Sequence, residues 1–198
     1  MPQESFVQVD EGTGKKLRTY QRTVGANVVE SSHVLIDDPG LPTFVAIYGG
    51  ISTATNNLHL AQLMAGAAKR LYIRRIRTMQ RAGATTASAI VMQILRLTSA
   101  GTGGAAVTPR PFDPTDIVSA SAMGAVVTPG AEGSEIGRIT MQMMSAAPVS
   151  NTVWEQLPNS KALIVPAGTA NGLAIKQTGG AIAAGTLDIV IEFSEADY

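Results

Sequence analysis

The 198-residue chain contains no cysteine and only two histidines, His33 and His59. The first absence excludes a disulfide framework, a thiolate zinc site and a thiol nucleophile. The second leaves little imidazole for general-base or metal chemistry. Aromatic residues make up 5% of the chain against 45% hydrophobic residues, so the predicted core is aliphatic, filled by Ala, Val, Ile, Leu and eight Met. Neither sign of charge is in excess, with 15 Lys and Arg against 15 Asp and Glu. A balanced chain has no global field to gather nucleic acid or an anionic membrane, and neutrality favours close packing of many copies. No apolar run approaches the ~18 residues of a membrane span. Met1-Pro2-Gln3-Glu4-Ser5 also lacks the basic and then apolar pattern of a secretory signal. These features predict a soluble chain made in a cytoplasm.

What is present is strand pattern. Leu187-Asp188-Ile189-Val190-Ile191-Glu192-Phe193 alternates, placing Leu187, Ile189, Ile191 and Phe193 on one face of a strand. Ala89 to Leu97 and Leu71 to Met79 read the same way. In the first, Ile90, Met92 and Ile94 alternate with Val91, Gln93 and Leu95, so the strand is expected to be central or in contact on both faces. Phe44 to Tyr48, Ile139 to Met143, Lys161 to Val165 and Leu173 to Lys176 add shorter segments. Leu58 to Met64 fits either a strand or a helical face, and the turn-like Ala65-Gly66-Ala67-Ala68-Lys69 after it favours the strand.

Between these segments the chain is rich in turn residues. Thr98 to about Pro129 reads as a loop, with Asp113-Pro114 suited to open a short helix inside it. Asn171-Gly172 predicts a tight turn with positive φ. About eight strands from Thr43 onward predict an all-β fold, a jelly-roll-like antiparallel β-sandwich over residues 43–198. Residues 1–40 differ. Their strand-like pieces carry too few large apolar side chains for a core, and Asp37-Asp38-Pro39-Gly40 marks a boundary. They predict an extended N-terminal arm that gains order by lying along another surface.

Candidate catalytic motifs fail on spacing. In Gly12-Thr13-Gly14-Lys15-Lys16, Val9 stands where a phosphate loop needs its first Gly, and Lys16 where it needs Ser or Thr. Gly101-Thr102-Gly103-Gly104 lacks the third Gly of a dinucleotide fingerprint. Gly133-Ser134-Glu135-Ile136-Gly137 has a Ser without the spacing of a nucleophile elbow. Asp10-Glu11 and Asp37-Asp38 sit beside Gly or Pro, where carboxylates stabilise turns. His59, between Leu58 and Leu60, reads as an outward or hydrogen-bonded side chain. We therefore expect no catalytic residue, no cofactor, no metal site and no enzymatic activity.

The sharpest local signal is basic. Arg70, Arg74, Arg75, Arg77 and Arg81 crowd one strand and its exit, and the adjacent Arg74 and Arg75 break the alternation, which predicts a bulge or two wetted faces. Three readings stay open: forked pairing with carboxylates such as Asp188, Glu192, Glu195 and Asp197, within the chain or across an interface; a solvated face; or phosphate contact. The first is favoured, since only Tyr72 is interleaved for base stacking. Lys15, Lys16, Arg18, Tyr20 and Arg22 form a second candidate interface group in the arm. Trp154, the sole Trp, is either a cover for the edge of the core or a flat platform for a sugar.

Several stretches together resemble small virion structural proteins of tailed bacteriophages. They are Asp10 to Asn27 in the arm, Asn56 to Leu60, Gly66 to Ile76, Leu95 to Ser99, Thr108 to Pro114, and the closing alternation Leu187 to Phe193. The resemblance implies a non-enzymatic subunit located in the virion and made in the host cytoplasm. Its leading form is a capsid decoration, or cement, protein that oligomerises, as a homotrimer, and binds the major capsid protein or other virion subunits through its arm. The alternative form is a tail or baseplate component with a carbohydrate- or receptor-binding role. Neither implies contact with nucleic acid or a membrane.

Overall fold

In the computed structural model the backbone of residues 4–8, 16–24 and 27–32 is described, together with residues 41–55, 58–145, 151–157, 162–183 and 185–197 in full. The chain divides into two compact units, Met1–Gly40 and Leu41–Tyr198.

In the first unit, β1 (Glu4–Gln8), β2 (Lys16–Val24) and β3 (Asn27–Ser32) form a three-stranded antiparallel sheet in the order β1-β2-β3. Val24 is registered with Asn27, so β2 turns back into β3 within a few residues. These strands thus satisfy one edge each, and both edges of β2, within their own segment. The described strands of this stretch form a meander.

The second unit is a β-sandwich of two antiparallel sheets, with no helix among the described residues. Its strands are β4 (Thr43–Ser52), β5 (His59–Met64), β6 (Lys69–Ala82), β7 (Ser88–Leu97), β8 (Ala105–Val107), β9 (Arg110–Pro111), β10 (Ser121–Val126), β11 (Glu132–Met143), β12 (Asn151–Glu155), β13 (Leu163–Val165), β14 (Gly172–Thr178) and β15 (Thr186–Asp197). One sheet runs β11-β7-β14-β5-β10-β8; the other runs β12-β6-β15-β4-β9, with β13 also on β6.

The alternation of β15 explains the core. Leu187, Ile189, Ile191 and Phe193 are all fully buried, and the Phe193 ring stacks on Phe44 of the neighbouring β4 at a centroid separation of 5.6 Å. Ile90, Met92 and Ile94 of β7 and Met141 of β11 fill the core from the facing sheet. β7 lies between β11 and β14, and both of its faces bury apolar groups, Leu97 joining Met64 and Ala174 in a second small cluster.

Three expectations need correction. The stretch from Thr98 to Pro129 is not a plain loop, because it contributes β8, β9 and β10. Its residues are small and weak strand formers, and β10 takes its extended form from pairing along β5, Ser121 opposite Met64 and Gly124 opposite Ala61. Asp113 caps a single turn instead of a helix. Its carboxylate accepts from the Thr115 N–H at 2.9 Å and the Thr115 hydroxyl at 2.7 Å, and its carbonyl from the Asp116 N–H at 3.0 Å, a local closure that competes with helix propagation. The positive-φ residue of the turn before β14 is Gly168, at φ 116°, and not Asn171 or Gly172. Asn171 acts by its side chain, donating to the Ala167 carbonyl at 2.7 Å.

Candidate interaction surface

The long strand β6 carries Arg70, Arg74, Arg75, Arg77 and Arg81. It lies beside β15 over nearly its whole length, so the arginine strand and the carboxylate strand are direct neighbours. Register aligns Ile47, Val190, Arg77 and Val153 in one row across the sheet, and Val45, Glu192, Arg75 and Glu155 in the next. The register shifts where Glu192 faces Arg75 while Phe193 faces Ile73, leaving Arg74 as the extra residue of a bulge. That bulge resolves the adjacent arginines. Ile73 and Ile76 both reach the core, and Arg75 and Arg77 share the outer face.

Glu192 is the hub of that face. Arg75 donates to it from Nε at 3.1 Å and from Nη2 at 2.8 and 2.9 Å, and Arg77 from Nη2 at 3.0 Å. The carboxylate side chain is 12% exposed, while the two guanidinium side chains are 38% and 39% exposed. Arg81 meets Asp188 at 3.5 Å, and Asp188 also accepts from the Gly50 N–H at 2.7 Å. Arg74 donates from Nε to the Ser194 hydroxyl at 3.2 Å. Arg74, Arg75, Arg77 and Arg81 are therefore held by β15 of their own chain, and Arg75 and Arg77, with exposed Ile47 and Val153 beside them, remain partly at the surface. This is a sheet face of paired charge and apolar side chains.

Lys16, Arg18, Tyr20 and Arg22 lie on β2, and Lys15 falls outside the described residues, as do His33, Asp10, Glu11, Asp37 and Asp38. Trp154 sits on β12, packed against the edge of the main core, and also lines a groove of about 440 Å3 with Arg96, Ile136, Glu155, Leu157 and Leu163.

Two polar links between distant strands escaped the sequence reading. His59 is fully buried, not outward, and its Nε2 lies 3.1 Å from Glu132 Oε1. The same carboxylate accepts from Lys176 Nζ at 2.9 and 3.0 Å. Burial lowers the His59 pKa below its ordinary 6.5, against the opposing pull of Glu132. Burial pushes Glu132 up, but hydrogen bonds from Lys176 and His59 outweigh it and hold the carboxyl below its usual value. The buried imidazole and the partly exposed carboxylate shared with Lys176 make this a link among β5, β11 and β14.

Glu195 forms the second site. Its carboxylate, fully buried, accepts from the Ser119 N–H at 3.0 and 3.1 Å, the Ser119 hydroxyl at 2.8 Å and the Ala120 N–H at 2.8 Å. It pins the segment before β10 onto β15 of the other sheet. Partners 73 and 76 residues apart leave no local pattern in the sequence.

No known protein family, curated protein or solved structure matches the chain.

Proposed function

We propose that this chain is a non-enzymatic structural protein of a bacteriophage virion, a capsid decoration protein whose residues 1–40 attach it to neighbouring capsid subunits. The observation that carries the reading is the separate N-terminal sheet. β1 and β3 each pair only with β2 among the described residues, so each offers one free edge to a strand of another subunit. Strand addition of that kind supplies backbone hydrogen bonds without requiring a deep pocket. Repeated over many copies, each further contact becomes effectively intramolecular and stabilises a shell.

The order of the long strands supports a jelly-roll body. β4-β15-β6-β12 faces β5-β14-β7-β11, the wrapped order of two interleaved Greek keys. The outer face around Glu192, Arg75 and Arg77, with exposed Ile47 and Val153 beside it, is suited to contact between copies about a symmetry axis, with three copies as the working number. The test compares the whole chain with residues 41–198 for binding to purified particles lacking this protein. The proposal expects the shorter chain to fold and to lose particle binding. Equal binding by both would overturn the tethering role.

A further inference from the structure

We propose that a groove beside β9 receives the Phe112–Ile117 turn of a second copy of this chain. The proposal deepens the reading of the outer face as a contact between copies, and rests on that part of it. The acceptor is a groove of about 360 Å3 lined by Val45, Ile47, Ala106, Val107, Thr108 and Arg110. Its origin is the shortness of β9. β4 runs for ten residues, but β9 pairs only with Phe44 and Val45, and the chain ahead of it comes over from β8 of the other sheet.

The register fixes which side chains face the groove. Phe44, Ala46 and Tyr48 are fully buried, so the alternation of β4 turns Val45 and Ile47 outward. Ile47 is 56% exposed. Arg110, registered opposite Val45, shares that outer face. It is exposed, and its guanidinium has no acceptor among the described residues. Residues 43–52 and 105–112, which form the walls, all lie among the described residues.

The donor begins two residues further on. Phe112 and Ile117 are 62% and 82% exposed, and they stand at the two ends of the turn that Asp113 closes on Thr115 and Asp116. A turn already closed by its own hydrogen bonds loses little conformational freedom on docking. Neither Asp113 nor Asp116 forms an ion pair among the described residues.

Charge decides the occupant. The groove offers apolar side chains and one guanidinium without a partner, while the turn offers two apolar side chains and two carboxylates without a cation. Burying Phe112 and Ile117 supplies the attraction, and pairing of Arg110 with the acidic turn sets the register between copies. Zero net charge adds no long-range repulsion between them. Turn and groove are different surfaces of one chain, so the contact repeats from copy to copy about an axis and closes into a ring.

The experiment follows the mass of the full chain by sedimentation velocity over a range of concentrations. We expect the parent to form a closed oligomer, and Phe112→Ser and Arg110→Glu each to weaken association by about tenfold or more. Both positions are exposed, so melting followed by circular dichroism should match the parent. Asp116→Arg should also weaken association, and Arg110→Glu combined with Asp116→Arg should recover it, because the reversed charges again meet their opposites. A monomeric parent overturns the proposal, as does a double variant that associates no better than either single one. An oligomer weakened by Val153→Glu, at the far side of the same face, but by none of these variants would keep the outer-face reading and sink this one. Variants that keep their self-association but lose binding to particles lacking this protein would assign the groove to another virion subunit, which also overturns it.

Discussion

Replacing Glu195 with Ala should be among the most damaging single changes in the β-sandwich. The side chain is fully buried, and it is the acceptor for the N–H groups of Ser119 and Ala120 and for the Ser119 hydroxyl. Lys69 lies 3.9 Å away and contributes a weaker attraction. Truncation removes three charge-assisted partners at once and leaves two backbone donors facing a cavity. A buried donor left unsatisfied costs about 1–3 kcal/mol, and breaking a buried ionic site about 3–5 kcal/mol, so we expect a loss near 3–5 kcal/mol. In a domain of this size that corresponds to a fall in melting temperature of about 6–20 °C. Glu195→Gln keeps one oxygen for the Ala120 N–H and should cost about half as much. Urea unfolding followed by Trp154 emission and circular dichroism measures both, with a lower midpoint and an unchanged m-value as the signature. A loss below about 1 kcal/mol for Glu195→Ala would refute the reasoning, because it would mean the amides of Ser119 and Ala120 find equivalent partners when the carboxylate is gone.

Arg75→Ala and Arg77→Ala should each cost about 1 kcal/mol or less, since both guanidinium groups are more than a third exposed and are screened by solvent. Together they leave the poorly exposed Glu192 without a cation, and the double variant should lose more than the sum, as a double-mutant cycle in urea will show. Stability should also depend on pH through His59. Its folded pKa lies below its ordinary 6.5, so the unfolded chain takes up the proton first. The contribution is complete above about pH 6.5 and is lost as pH falls from there through the folded value. His59→Gln should flatten that part of the stability profile measured from pH 8 downward by about a residue's worth of proton uptake; an unaltered slope would contradict a buried neutral imidazole.

Much of the β-sandwich could be read from single strands. Leu187 to Phe193 alternates because one face of β15 meets the core, and Ile90 to Leu97 is apolar on both faces because β7 is flanked by neighbours and also covers the second cluster. Arg74 beside Arg75 announced the bulge, since no regular strand can keep Ile73 and Ile76 both inward. Other elements were hidden for physical reasons. Ser121-Ala122-Met123-Gly124-Ala125-Val126 has little intrinsic strand preference and becomes β10 only through its place beside β5. Asp113-Pro114 has the opening of a helix but no apolar face after it, so the Asp113 side chain closes a turn on Thr115. The links from His59 to Glu132 and from Glu195 to Ser119 depend on strand order across the sheets, which no local spacing encodes. The Trp154 groove was half legible. The lone Trp was visible, but the residues that line the groove with it, Arg96 and Ile136 among them, come from other strands.

The most direct test of the virion reading is the copy number and location of this chain in purified phage particles, by quantitative mass spectrometry combined with imaging. A decoration protein should be present in many copies spread over the head. Absence of the chain from particles would contradict the account.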